Sequence, residues 1–257
     1  MKKVKVLIFS GYGLNCEEET KFAFELAGAS ADIVHINDLI DGKKKLKDYQ
    51  ILAFPGGFSY GDDTGSGKAY ANKVRNHLGK DLLKFVSEDK LVIGICNGFQ
   101  ILTNLGLLPG ALTFNDGARY QDRWVDVKVE NNESPWLRGI TTLSLPIAHG
   151  EGKFIADQKT LKSLNQEKQI AVRYVKGEVA KYQDQTANPN GALEDIAGVL
   201  SYNGRVLGMM PHPERALFTT QLPQFSYLKE KAKREGKKLS KQGPGFQIFK
   251  NAVGYFK

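Results

Sequence analysis

The stretch Leu91-Val92-Ile93-Gly94-Ile95-Cys96-Asn97-Gly98-Phe99-Gln100 decides the fold. Its first half is an apolar run of strand length that breaks at glycine just before a cysteine. A strand that turns sharply, presents a nucleophile and enters a helix at once is the cysteine form of a nucleophile elbow. Gly94 and Gly98 relieve the crowding at such a turn, because glycine tolerates dihedrals that other residues avoid. A sulfur at the helix start faces unpaired backbone N–H groups. These favour the thiolate over a thiol whose free pKa is about 8.5.

An elbow of this kind belongs at the carboxyl end of a strand in an α/β sheet, and the flanking sequence alternates accordingly. Val4 to Phe9 reads as a strand, Glu17 to Gly28 as a helix and Ala31 to Ile36 as a strand. A second apolar run, Gln50 to Phe54, ends in Pro55-Gly56-Gly57-Phe58 and is followed by a helical pattern from about Lys68 to Val86. The expected fold class is α/β, a mostly parallel central sheet with helices on both faces. From Ala111 to Ser201 the pattern changes to short alternating strands such as Trp124 to Val129, Leu143 to Ala148 and Ile170 to Val175. These read as antiparallel additions to the same sheet, so residues 1–257 are expected to form one domain. Phe246, Phe249, Val253 and Phe256 repeat at helical spacing and read as core packing.

A thiolate needs a base, and His212-Pro213-Glu214 lies about 115 residues further on. Pro213 biases His212 toward extended backbone, where residues two apart share a side, so Glu214 can hold one imidazole nitrogen while the other faces the sulfur. Cys96, His212 and Glu214 then repeat the logic of nucleophile, base and orienting carboxylate. The Pro-Gly-Gly-Phe turn supplies the remaining part. Backbone N–H groups of Gly57 and Phe58, beside that of Asn97, would form an oxyanion hole, and losing one such donor costs about 10²–10³ in rate. Each motif alone is weak, since buried cysteines and Pro-Gly turns are common. Their joint occurrence, in an order one mechanism requires, carries the reading.

Together these motifs resemble the class I glutamine amidotransferases. Phe58-Ser59-Tyr60-Gly61-Asp62, Ala148-His149-Gly150-Glu151-Gly152-Lys153-Phe154, Asn188-Pro189-Asn190-Gly191 and Gly208-Met209-Met210-Pro211-His212-Pro213-Glu214-Arg215 are similar, within that class, to the glutaminase components of phosphoribosylformylglycinamidine synthases of purine synthesis. The likeness extends from Val4-Lys5-Val6 to Asn251-Ala252-Val253-Gly254-Tyr255-Phe256. It implies that Cys96 is acylated by glutamine, releasing ammonia and leaving a thioester for water, with His212 carrying protons in both halves. It further implies that Gln100, one turn beyond the nucleophile, helps hold the substrate. The implied partner is a large synthetase subunit that binds ATP and Mg²⁺ and uses the ammonia on formylglycinamide ribonucleotide. A small third subunit is left open, and no cofactor or metal is expected in this chain. Asp63 to Ala69 departs from the short bacterial subunits, Gln121 to Val125 lacks a cysteine often found there, and Lys229 to Lys241 reads as an insertion.

Composition excludes more than it identifies. A hydrophobic content of 41% in 257 residues is enough for a sizeable core, and no apolar run is long enough to cross a membrane. Met1-Lys2-Lys3 enters a strand without an apolar leader, and two cysteines do not make a disulfide scaffold, so a reducing, cytoplasmic location is expected. Cys16, beside Glu17, Glu18 and Glu19, reads as structural. The net charge of +8 is concentrated in Lys43 to Lys47 and Lys229 to Lys241, neither interleaved with aromatic residues. No nucleic-acid partner is therefore expected; the runs read as solvated helix faces, with docking to an acidic subunit as the sharper alternative. Gly65-Ser66-Gly67-Lys68 lacks the spacing of a phosphate loop. His149 and Glu151 could form a second acid–base pair, but a structural or partner-facing role is favoured. The competing functions are a glutaminase of another pathway, a cysteine peptidase-like hydrolase and a catalytically silent subunit.

Overall fold

The computed structural model describes residues 3–257; Met1 and Lys2, on which the reading of the N-terminus partly rests, lie outside them. Five parallel strands form one half of a nine-stranded sheet: β1 (Lys5–Ser10), β2 (Ser30–His35), β3 (Ile51–Phe54), β4 (Leu91–Ile95) and, late in the chain, β11 (Val206–Met209). The antiparallel half contains β6 (Gln121–Val129), β7 (Thr142–His149), β9 (Ile170–Val175) and β10 (Ile196–Ser201). The order across the sheet is β2-β1-β3-β4-β11-β10-β9-β6-β7, with β5 (Ala111–Thr113) and β8 (Lys153–Ile155) forming a separate ribbon. The expected additions therefore extend the parallel sheet through β11.

Local sequence explains each half. Every residue of β3 and β4 is buried, as parallel strands covered on both faces require. In β7 the buried residues Leu143, Leu145, Ile147 and His149 alternate with more exposed ones, and Pro146 is tolerated because β7 is the sheet edge. The crossover helices bury one stripe each. In α1 (Glu17–Leu26) Thr20, Ala23 and Phe24 turn inward; α2 (Ile36–Ile40) is a single turn after β2. Along α3 (Lys68–Ser87) Tyr70, Val74, Leu78, Leu82 and Phe85 form the stripe, and α4 (Asn97–Asn104) follows the elbow. Further on come α5 (Gln158–Gln166), α6 (Glu178–Tyr182), α7 (Phe225–Arg234) and α8 (Phe246–Gly254). Phe249 of α8 meets Phe24 of α1 edge to face at 5.0 Å, so the terminal helix seals the core as its spacing predicts.

No residue of α7 is buried. The basic 229–241 stretch thus begins on a solvated helix, in keeping with the blander reading. Among the described residues no helix is long and apolar enough to cross a membrane.

Two glycines make the elbow possible. A Cβ on Gly98 would collide with the Phe54 carbonyl of β3, and one on Gly94 would sit 2.6 Å from the Gly98 oxygen. The start of α4 therefore lies directly on backbone. Gly98→Ala must separate helix from strand, which is expected to destabilise the chain by on the order of 3 kcal/mol. Thermal unfolding checks this; a melting temperature equal to wild type would contradict the close approach.

Candidate active site

Cys96 is held between strand and helix. Its N–H donates to the Met209 carbonyl at 2.8 Å and its carbonyl accepts from Gln100 N–H at 3.1 Å. Between these anchors its backbone takes φ 51°, ψ −107°, a strained conformation of the kind that nucleophile elbows hold. Cys96 is 5% exposed, and its sulfur lies 3.6 Å from the Ala148 carbonyl.

His212 arrives from the neighbouring strand. β11 lies beside β4 in parallel register, Met209 opposite Ile95, so the residues after both strands emerge at the same edge. The His212 N–H donates to the Pro146 carbonyl at 2.8 Å, which fixes the backbone in the extended form that Pro213 favours. His212 Nδ1 meets Glu214 Oε1 at 2.5 Å. The expected pair therefore forms, although Glu214 reaches it through the 3₁₀ turn Pro213–Arg215 and not along an extended chain. Both side chains are buried, His212 2% and Glu214 1% exposed. Burial alone would strip the imidazole of its proton, but the Glu214 carboxylate and then Cys96 outweigh it, holding His212 well above its ordinary pKa. His212 Nε2 is bonded to no other group, which leaves it free for the reacting atoms.

The segment Gly11–Cys16 organises the turn after β3. The N–H groups of Asn15 and Cys16 both donate to the Gly56 carbonyl at 3.1 Å. In a trans peptide the N–H of the next residue points opposite to that carbonyl, so Gly57 N–H is turned away from this segment. Gly57 has φ +151°, and a Cβ there would lie 2.5 Å from the Gly13 oxygen. Phe58 corrects the sequence reading. Its N–H donates to the Gly13 carbonyl at 2.9 Å, because the two segments pair like a short bridge, and it is not a donor to an oxyanion in this arrangement. Asn97, first residue of α4, has no carbonyl four residues back within its helix, which leaves its N–H beside Cys96.

Gln100 is buried, 4% exposed, and not on an open helix face. Its oxygen accepts from Asn97 Nδ2 at 2.7 Å and its nitrogen donates to the Glu151 carbonyl at 2.5 Å. Asn97 Oδ1 in turn accepts from Ser59 N–H at 3.1 Å. This chain of amides ties the elbow to the loops at 58–62 and 148–152, and one Gln100 N–H is enough for the Glu151 bond, leaving a second.

His149 and Glu151 do not pair. Asn115 Nδ2 donates to the Arg119 and His149 carbonyls, so Asn115 Oδ1 is the acceptor that faces His149 Nδ1 at 3.2 Å and Gly152 N–H at 3.1 Å. His149 therefore carries its proton on Nδ1. Burial, then the charge on His212, pushes its pKa down to about 3, so the ring is neutral, and at 2% exposure it lies inside the protein.

Two neighbours of the base escaped the sequence reading. Cys16 Sγ, a His212 nitrogen and a Glu214 oxygen lie within 4.8 Å of one another, and Arg215 Nη2 donates to Cys16 Sγ at 3.1 Å. Thiol, imidazole and carboxylate are a donor set suited to zinc. Here Glu214 is engaged by His212 and the sulfur faces a guanidinium, an arrangement that suits proton transfer. Cys16 and Arg215 are separated by most of the chain, and no local pattern links them.

A strained cysteine at a strand–helix elbow, a buried His–Glu pair from the adjacent strand and a glycine turn beside them define a cysteine-dependent amidotransferase site. The chain belongs to the CobB/CobQ-like glutamine amidotransferase family, whose model matches residues 3–256. It is 52% identical to the phosphoribosylformylglycinamidine synthase subunit PurQ of Methanococcus maripaludis strain C5, covering 98% of both chains. The subunit of that name from Dehalococcoides mccartyi is 42% identical, again over 98% of both. In the solved structure of PurLQS from Thermotoga maritima, one chain superimposes with a TM-score of 0.74 at 31% identity, covering 99% of this chain and all of that one.

Proposed function

We propose that the chain is the glutaminase subunit of a phosphoribosylformylglycinamidine synthase, working as a single amidotransferase domain in the cytoplasm. The observation that carries the chemistry is the buried His212–Glu214 pair, 2.5 Å apart and next to Cys96, with the carboxylate favouring the charged imidazole. The Cys96 thiolate attacks the side-chain carbonyl carbon of glutamine, and the carbonyl pair moves onto oxygen as an oxyanion bonded to the N–H groups of Asn97 and Gly57. His212 gives its proton to the departing nitrogen, so ammonia leaves and a glutamyl thioester remains. Neutral His212 then takes a proton from water as that water attacks the thioester; collapse expels the thiolate and yields glutamate. Glu214 holds the ring in one orientation throughout. Gln100 contributes its second N–H to substrate.

The ammonia is used by a larger synthetase subunit that holds ATP and Mg²⁺, with a small third subunit completing the assembly. Phe58 and Tyr120 support docking close to the site: their rings are 6.1 Å apart, they are 42% and 51% exposed, and Phe58 directly follows the glycine turn. Aromatic residues of this kind are enriched in interfaces. Ammonia release from glutamine, measured for the purified chain and for the chain with synthetase, ribonucleotide and ATP, tests the reading. Low release alone and strong stimulation in the assembly are expected. Release that ignores the synthetase, or peptide hydrolysis without it, would favour a free-standing hydrolase.

A further inference from the structure

Arg215 poses a problem for the triad. It follows Glu214 directly, and a guanidinium is a planar fork that matches a carboxylate. Glu214 Oε2 is buried without a hydrogen-bond partner, so it offers such a fork an acceptor. An arginine that reached it would compete with His212 Nδ1 for the same carboxylate. In the structure it does not, because the guanidinium is held elsewhere. Nη2 donates to Cys16 Sγ at 3.1 Å and to Glu19 Oε1 of α1 at 2.9 Å, and Nε reaches Glu19 Oε1 at 3.1 Å. The Glu19 pair is partly exposed and by itself a weak tether. Cys16 is the buried part of the anchor, 2% exposed.

We propose that Cys16 is a positioning residue for the amidotransferase reaction: its sulfur holds Arg215 away from Glu214, leaving that carboxylate to the catalytic imidazole. This rests on the assignment of His212 and Glu214 given above. The thiol suits the task because it is a neutral acceptor. Its S–H is directed to Asn15 Oδ1 at 3.4 Å, which leaves sulfur lone pairs for Arg215, and burial raises its pKa and keeps it protonated. The backbone at Cys16 is fixed independently of the side chain. Its N–H bonds Gly56 O at 3.1 Å, and its carbonyl accepts from Thr20 Oγ1 at 2.6 Å. Changing the sulfur therefore leaves the turn that aims Gly57 in place.

The charged and titratable groups around the ring settle the sign of the effect. Glu214 and Arg215 come from its own turn, Cys16 and Glu19 from the start of α1, Cys96 from the elbow, Tyr120, whose pKa burial raises, from the segment before β6, and His149, neutral, from β7. Glu214 is the charge that most favours the imidazolium, so a carboxylate shared with Arg215 favours it less. Cys16→Ala is expected to move the alkaline limb of kcat/KM for glutamine to lower pH in the assembled synthetase. It should lower kcat roughly tenfold, part of the ~10²–10⁴ that general acid–base catalysis supplies, and leave KM within about twofold. Cys16→Val, which fills the sulfur's space without an acceptor, should behave alike, and Cys16→Ser should stay near wild type. Arg215→Met added to Cys16→Ala should restore both limb and rate, since the competitor is gone. An unchanged profile in Cys16→Ala and Cys16→Val, or a loss that Arg215→Met does not relieve, would overturn the proposal and leave Cys16 a packing residue. Absence of stimulated turnover in the wild type would instead sink the functional reading itself.

Discussion

Replacing Cys96 with alanine is expected to abolish glutamine-dependent ammonia release, by roughly 10⁴–10⁶ in the assembled synthetase, while synthesis driven by free ammonium salts continues. The size follows from the chemistry. Without the sulfur no thioester forms, and what remains is glutamine held beside oxyanion donors with no attacking group. Little fold is at stake. The backbone of Cys96 is fixed by its own N–H to Met209 and its carbonyl to Gln100, bonds that alanine keeps. Circular dichroism and co-elution with the synthetase should therefore match wild type. Retention of more than about a hundredth of the glutamine-dependent rate would remove Cys96 from its assigned role.

Glu214→Gln is expected to lower kcat by on the order of 10³–10⁴, the loss seen when an orienting carboxylate becomes an amide and the imidazole adopts the wrong tautomer. The contact at stake is the 2.5 Å bond to His212 Nδ1, made where both groups are buried. Burial opposes charge on His212, and Glu214 is the first of the groups that overcome it. The alkaline limb of the activity profile should thus shift to lower pH in the variant. Stability has the same sign. A histidine whose folded pKa lies above its ordinary value stabilises the fold fully below that ordinary value, and loses the contribution as pH rises through the folded one. The gap in unfolding free energy between wild type and Glu214→Gln should therefore be widest in mild acid and narrow in alkali. Denaturant titrations across pH check this; a gap that widens with pH would contradict it.

How much of this could be read from the chain depends on distance along it. The elbow is local: strand, glycine, cysteine and helix are contiguous, so residues 91–100 announce both an element boundary and a reactive group. His212-Pro213-Glu214 is equally compact, and its relation to Cys96 follows once both motifs are placed after parallel strands. Phe58 was misread as a donor because the fate of its N–H depends on Gly13, more than forty residues earlier, through a bridge with no periodic signature. Gln100 offered no sign of burial, since the Glu151 carbonyl that receives it comes from a distant loop. Cys16 looked inert because its acidic neighbours were visible and Arg215 was not. His149 shows the same limit: its partner Asn115 gives no hint in sequence that it will fix a tautomer.

The place of β11 has a consequence for when the enzyme can exist. The strand that leads to the base is inserted between β4 and β10, although both of those precede it in the chain. Until residues 206–209 are made and enter that slot, the parallel and antiparallel halves are not joined, and β4 and β10 present unpaired edges to solvent. The step that completes the sheet is also the step that brings His212 to Cys96. A growing or partly folded chain thus holds a cysteine with no base, and reactivity is switched on by the closure that makes the protein whole.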